Sequence, residues 1–112
     1  MKRTFLGEFE EIVLLVIAAC PQDAYGVLVW EQLQQQTGRR ITISAIHATL
    51  YRLEEKQFLS STLGGATAER GGRRKRFFSL TAAGIRAIQE IQSIRNQLWQ
   101  AIPSDKFQLI GS

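Results

Sequence analysis

Cysteine is almost missing from this chain. Cys20 stands alone, so an internal disulfide framework is excluded, and its place in an apolar run marks a buried reduced thiol of the kind found in a cytosol. Histidine is equally scarce: His47 is the only one, and no carboxylate cluster has the spacing of a metal site. The adjacent pairs Glu10-Glu11 and Glu54-Glu55 point in different directions on their helices, so neither makes a paired acid and base. The glycine-rich loop lacks the GxxxxGK[ST] pattern of a nucleotide-phosphate cradle. Long apolar runs are also lacking. The longest, the eight residues Ile12 to Ala19, falls far short of the roughly 20 that span a bilayer. These absences leave enzymatic, nucleotide-binding and membrane-spanning classes without support, and no metal or other cofactor is expected.

The start of the chain offers one rival reading. Lys2 and Arg3 precede IVLLVIAA, and Ile17-Ala18-Ala19-Cys20 resembles a lipoprotein cleavage site, which points to export. Against it, Glu8, Glu10 and Glu11 lie between the basic start and the apolar run, where an export signal is positively charged. A cytoplasmic location is expected.

What is present is a single-domain composition with unevenly placed charge. At 112 residues and 45% hydrophobic content the chain supports one core and not two. The net charge is +4, but residues 39–76 carry nine Lys or Arg against three Asp or Glu, while the first 38 residues carry two against five. A basic, glycine-hinged middle beside an acidic start fits a polyanion, of which nucleic acid is the commonest.

Phe5, Leu6, Phe9 and the unbroken series from Ile12 predict a first helix over 5–20 that is largely enclosed by others, ended by Pro21. A second helix is expected from Ala24 to Thr37, with Val27, Leu28 and Leu33 inward and Gly38 as its stop. Arg39 to Thr42 form an extended link. Ser44 can cap a third helix, in which Ile46, Leu50 and Leu53 make a buried stripe. Its opposite arc holds Ser44, His47, Ala48, Tyr51, Arg52 and Glu55. Phe58–Leu63 and Arg76–Leu80 read as two strands joined by a polar, glycine-rich loop. Thr81 begins a long helix to Ile102, and the tail KFQLIGS carries Phe107, Leu109 and Ile110, apolar residues suited to docking.

A recognition helix must bury one face on its own domain and present small or polar side chains from its N-terminal half. The third helix meets both conditions. Ala45 and Ala48 permit close approach, Ser44 can bond a phosphate or base edge, and His47, Tyr51 and Arg52 can reach phosphates. In the hairpin loop, Arg70, Arg73, Arg74, Lys75 and Arg76 can contact phosphates or enter a narrow minor groove. Taken alone, each of these is also what an ordinary solvated face or loop looks like; their order, helix then hairpin with a basic tip, favours DNA.

These segments together resemble the PadR-like winged-helix transcriptional regulators over nearly the whole chain. LGEFEEIVLLVI is similar to the family's first helix, Tyr25-Gly26 to the start of its second, and Ser44 to Lys56 to its recognition helix. Glu69-Arg70-Gly71-Gly72-Arg73-Arg74 is similar to its wing, and Leu80-Thr81-Ala82-Ala83-Gly84 to the start of its closing helix. His47 stands where the family usually has tyrosine, and Gln57 where it has a glycine that would relieve a left-handed backbone. The resemblance implies a homodimer that binds two-fold DNA, usually represses, and often releases DNA when a ligand or signal arrives.

The dimer has support in the residues themselves. Ile85, Ile88, Ile91, Ile94, Leu98 and Ile102 step by three or four along a helix of about 33 Å, longer than a small core can cover on one side. The expected interface comprises Phe5, Phe9, Ile88, Ile91, Ile94, Leu98, Trp99 and Ile102. Some similar regulators hold flat aromatic ligands between aromatic side chains there, which makes Trp99, rather than Trp30, the candidate effector contact. The expected fold is therefore mainly α with a small β-hairpin (α+β): a single domain over 1–112, with a winged helix-turn-helix core at 5–80 and a C-terminal dimerisation helix at 81–102. The expected partners are double-stranded DNA, a second copy of the chain and a small-molecule effector, without a membrane. The alternative is a dimeric winged-helix protein-interaction module that does not read DNA.

Overall fold

The structure, a computed structural model, describes residues 6–20, 23–64 and 75–111. Helix α1 (Glu8–Ala19) begins where the Glu10 side chain turns back to accept the Gly7 backbone N–H at 2.9 Å. Glu8, Glu10 and Glu11 fill its first turn, where the helix dipole favours negative charge. The acids that argue against an export signal thus open a helix whose Val13, Leu14, Val16 and Ile17 form the middle of the core.

Strand β1 (Ala24–Tyr25) and helix α2 (Gly26–Thr37) follow. The strand corrects the expectation that a helix starts at Ala24. Two residues carry no readable periodicity; the conformation is set by pairing with strand β3 (Arg76–Leu80), with Ala24 opposite Phe78 and Tyr25 opposite Phe77. Val27 is a second correction, being 45% exposed, while Val29 and Leu33 are fully buried. At 100° per residue Val29 lies within about 40° of Leu33, whereas Val27 lies about 120° away. Gly38 ends α2 in the left-handed region at φ 72° as expected.

The link to helix α3 (Ile43–Glu55) is pinned by two side chains of α2. Trp30 donates its indole N–H to the Ile41 carbonyl at 2.6 Å, and the Gln34 amide oxygen accepts the Ile41 N–H at 3.2 Å. Trp30 is thereby part of the domain's own packing. Thr42, not Ser44, caps α3: its hydroxyl accepts the Ala45 N–H at 3.2 Å, and Ser44 lies two residues too late, already helical. Ile46, Leu50 and Leu53 are all fully buried, as their spacing predicts.

At its far end α3 closes with Gln57 at φ 67°, the only non-glycine residue with positive φ among those described. The Phe58 N–H reaches the Leu53 carbonyl at 3.0 Å and the Gln57 N–H reaches that of Glu54 at 2.9 Å, the paired bonds of a Schellman turn. Gln57 therefore adopts the left-handed turn without glycine's freedom. Strand β2 (Leu59–Leu63) then pairs with β3, Leu59 opposite Leu80 and Leu63 opposite Arg76, giving an antiparallel sheet in the order β1-β3-β2.

Thr81 caps helix α4 (Ala82–Gln100) by accepting the Gly84 N–H at 3.0 Å. The helix touches the core with Gly84, Ala87 and Ile88 and then leaves it; every α4 residue after Ile91 is exposed. The tail adopts a further helix, α5 (Ser104–Gly111). The radius of gyration, 17.2 Å, exceeds the about 13 Å of a compact chain this long because α4 projects beyond the core. Among the described residues no helix is long and apolar enough to cross a membrane.

Candidate nucleic-acid interface

Burial of Ile46, Leu50 and Leu53 fixes the roll of α3, and with it the residues that face solvent. Ser44, His47, Ala48, Tyr51, Arg52 and Glu55 are all exposed, while Ala45 is half-buried. The sequence-predicted recognition face is thus one continuous surface, small at its N-terminal end and polar beyond.

Three of the longer side chains on this face are held from behind. The His47 ring lies against the backbone of Gly26, where a Cβ would stand only 2.5 Å from its Cε1. Glycine at the first position of α2 leaves the space that the end of this ring occupies. Tyr51 leans edge-on against Phe78 of the sheet, with ring centroids 6.4 Å apart. Arg52 donates its Nε–H to the Glu10 carboxylate at 3.0 Å, and Lys56 donates to both Glu10 oxygens at 2.8 and 3.0 Å.

Glu10, which the reading of adjacent acids passed over, is the buried carboxylate behind this face. Its side chain is only 8% exposed, and with the Gly7 N–H it takes donors from both ends of the α1–α3 contact. Burial pushes its pKa up and is the largest single influence, but the hydrogen bonds from Lys56, Gly7 and Arg52 together outweigh it and hold the carboxyl below its usual value. The signal was in the spacing: Glu10, Val13, Leu14 and Ile17 fall on one helical face, so Glu10 lies in the buried stripe. Glu11, one residue on and about 100° around the helix, instead pairs with Arg95 of α4 at 2.6 Å.

The wing side is ordered at its base. Lys75 places its ammonium 4.0 Å over the Tyr25 ring, itself edge-on to Phe77 with centroids 6.0 Å apart. Arg76 donates to the Ser61 hydroxyl at 2.9 Å, and Ser61 donates to the Glu54 carboxylate, tying the hairpin to α3. Arg70, Arg73 and Arg74 lie outside the described residues, as does Phe5 of the expected interface.

Most of the other expected interface residues lie along α4, which ends at Gln100 and not at Ile102 as expected, so that Ile102 falls just past the helix. Ile88 and Ile91 are half-buried, as is Phe9 on α1, whereas Ile94, Leu98, Trp99 and Ile102 are exposed. Trp99 packs on Phe107 of α5 with ring centroids 5.3 Å apart.

A helix pair whose second member shows a small, polar face, flanked by a β-hairpin rising from the same core, defines a winged helix-turn-helix. The model of the transcriptional regulator PadR-like family matches residues 13–90, and the chain belongs to that family. It is accordingly a DNA-binding transcriptional regulator and not an enzyme. Three solved structures of low identity share the fold. A PadR-like transcription factor from Bacteroides fragilis superposes with a TM-score of 0.70 at 17% identity, over 82% of this chain and 84% of that one. A PadR family regulator from Eggerthella lenta gives 0.65 at 22%, over 83% and 80%, and one from Clostridium difficile gives 0.63 at 20%, over 93% and 99%. A comparison with functionally curated proteins finds no match.

Proposed function

We propose that the protein is a cytoplasmic repressor that binds two-fold operator DNA as a homodimer. The observation that carries this reading is the exposed face of α3, small at Ser44, Ala45 and Ala48 and rigidly backed at His47, Tyr51 and Arg52. That face enters the major groove, and the wing cations Arg70, Arg73, Arg74, Lys75 and Arg76 grip the flanking phosphates. Residues 5–80 act as the DNA-reading core and 81–102 as the dimerisation helix of one domain.

The exposed stripe Ile94, Leu98, Trp99 and Ile102 supports the dimer. These are 36% to 66% exposed, the first three on a helix that has left its own core and Ile102 just past its end, and a second copy would cover them. A flat aromatic effector would bind beside Trp99, whose ring already has Phe107 on one side. Binding of the purified protein to its own upstream DNA and to a scrambled duplex, followed by fluorescence anisotropy across a salt series, tests the reading. Preferential binding with a steep salt slope is expected. Absence of binding to any duplex at low salt would overturn it in favour of a protein-interaction module.

A further inference from the structure

The charge pattern around Glu10 does not follow from a need for positive potential. A surface selected only to attract phosphates gains nothing from a buried carboxylate beneath two of its cations, since the carboxylate repels the same phosphates. Burying it also carries a desolvation cost that its partners must offset. Its geometry supplies another role. Ser44, Ala48, Arg52 and Lys56 are spaced by four and form one row along α3, so the two cations extend the row of small residues that faces DNA.

Glu10 takes Arg52 through Nε alone, and Nη2 lies 3.4 Å from the Thr49 hydroxyl. The outer edge of the guanidinium is left for a second acceptor, the edge that grips a phosphate in bidentate fashion. The side chain is 52% exposed and is already fixed, so little rotamer entropy remains to be lost on docking. We propose that Glu10 is a positioning residue for DNA recognition. From α1 it holds Arg52, with Lys56 beside it, in the orientation that contacts a phosphate next to the base-reading end of α3. This inference rests on the DNA-reading function proposed above.

The test uses the full chain and a duplex selected by the wild-type protein from a random pool, with a scrambled duplex of equal length as reference. Glu10→Gln removes one negative charge, so a purely electrostatic role predicts tighter binding to both duplexes. Positioning predicts the opposite sign for the selected duplex: affinity about tenfold lower, with affinity for the scrambled duplex unchanged or higher. Arg52→Lys, at a half-exposed site that leaves the core intact, keeps the charge and loses the fork. It should show the same loss, and the double variant should lose little more than either single one. Equal or tighter binding of the selected duplex by Glu10→Gln, or additive losses in the double variant, would overturn the proposal. Failure of the wild-type protein to select any duplex would instead sink the DNA-reading function itself.

Discussion

Gly84→Ala separates two arguments that give opposite signs. Gly84 sits in the first turn of α4, where alanine's better helix propensity adds up to about 1 kcal/mol of stability. The surroundings point the other way. A Cβ there would lie 2.2 Å from the Phe58 carbonyl oxygen and 3.1 Å from Leu80 Cδ2, so the contact must open by about 1 Å. The obstacle is backbone and cannot swing aside. That carbonyl also accepts the Thr81 N–H at 3.1 Å, and the Thr81 hydroxyl donates to the Gln57 carbonyl at 2.7 Å, so the start of α4 is tied to the end of α3 at this point. Because the obstacle is backbone, the overpacking cost falls in the upper part of the usual range, about 2–3 kcal/mol, which leaves a net loss of roughly 1–2 kcal/mol after the propensity gain. For a chain of this size that is a fall in melting temperature of roughly 4–10 °C. Circular dichroism melts at matched protein concentration, which removes any contribution from self-association, provide the measurement. A variant melting at or above the wild-type temperature would refute the claim that α4 docks this closely on Phe58.

Gly26→Ala should leave the fold near wild-type stability, because the group its Cβ meets is the free end of the exposed His47 ring; the displaced ring should weaken operator affinity about tenfold in anisotropy titrations. Ala48→Glu, which puts a carboxylate in the middle of the exposed α3 face, should abolish specific binding with an unchanged far-ultraviolet spectrum. Arg73 and Arg74 mutated together should weaken binding to all sequences alike and flatten the salt dependence. Stability should also follow the Glu10 carboxyl. Its pKa in the folded state lies below the ordinary 4.5, so its stabilising contribution is complete above that value and is lost as pH falls through the lowered one. The melting temperatures of wild type and Glu10→Gln should therefore differ by a constant amount above pH 4.5 and converge below it; a gap that persists in strong acid would count against the ion pairs.

Most of the fold was legible because the sequence states it in local terms. The stripe Ile46, Leu50, Leu53, the stop at Gly38, the two strands of the hairpin and the Thr81 start of the last helix each depend on residues within a few positions of one another. Two of the misses, at β1 and at the cap of α3, have a common cause. Strand β1 exists only because Phe77 and Phe78, over 50 residues away, offer it an edge, and two residues cannot announce a partner that far off. Thr42 and Ser44 are both good caps, and the choice between them was made by where Trp30 and Gln34 pin the preceding Ile41.

The site was legible as a face but not as a mechanism for holding that face. Periodicity tells which α3 residues are exposed, because exposure is the complement of the buried stripe, and all of Ser44, His47, Ala48, Tyr51, Arg52 and Glu55 follow from it. It does not tell which acid lies behind them. Neighbours on a helix diverge by about 100°, so Glu10 and Glu11 cannot work as a pair. That divergence is the source of their use: it sends one carboxylate to Arg52 and Lys56 on α3 and the other to Arg95 on α4. Two adjacent buried acids on a helix thus join α3 to the projecting α4 through a single turn of α1.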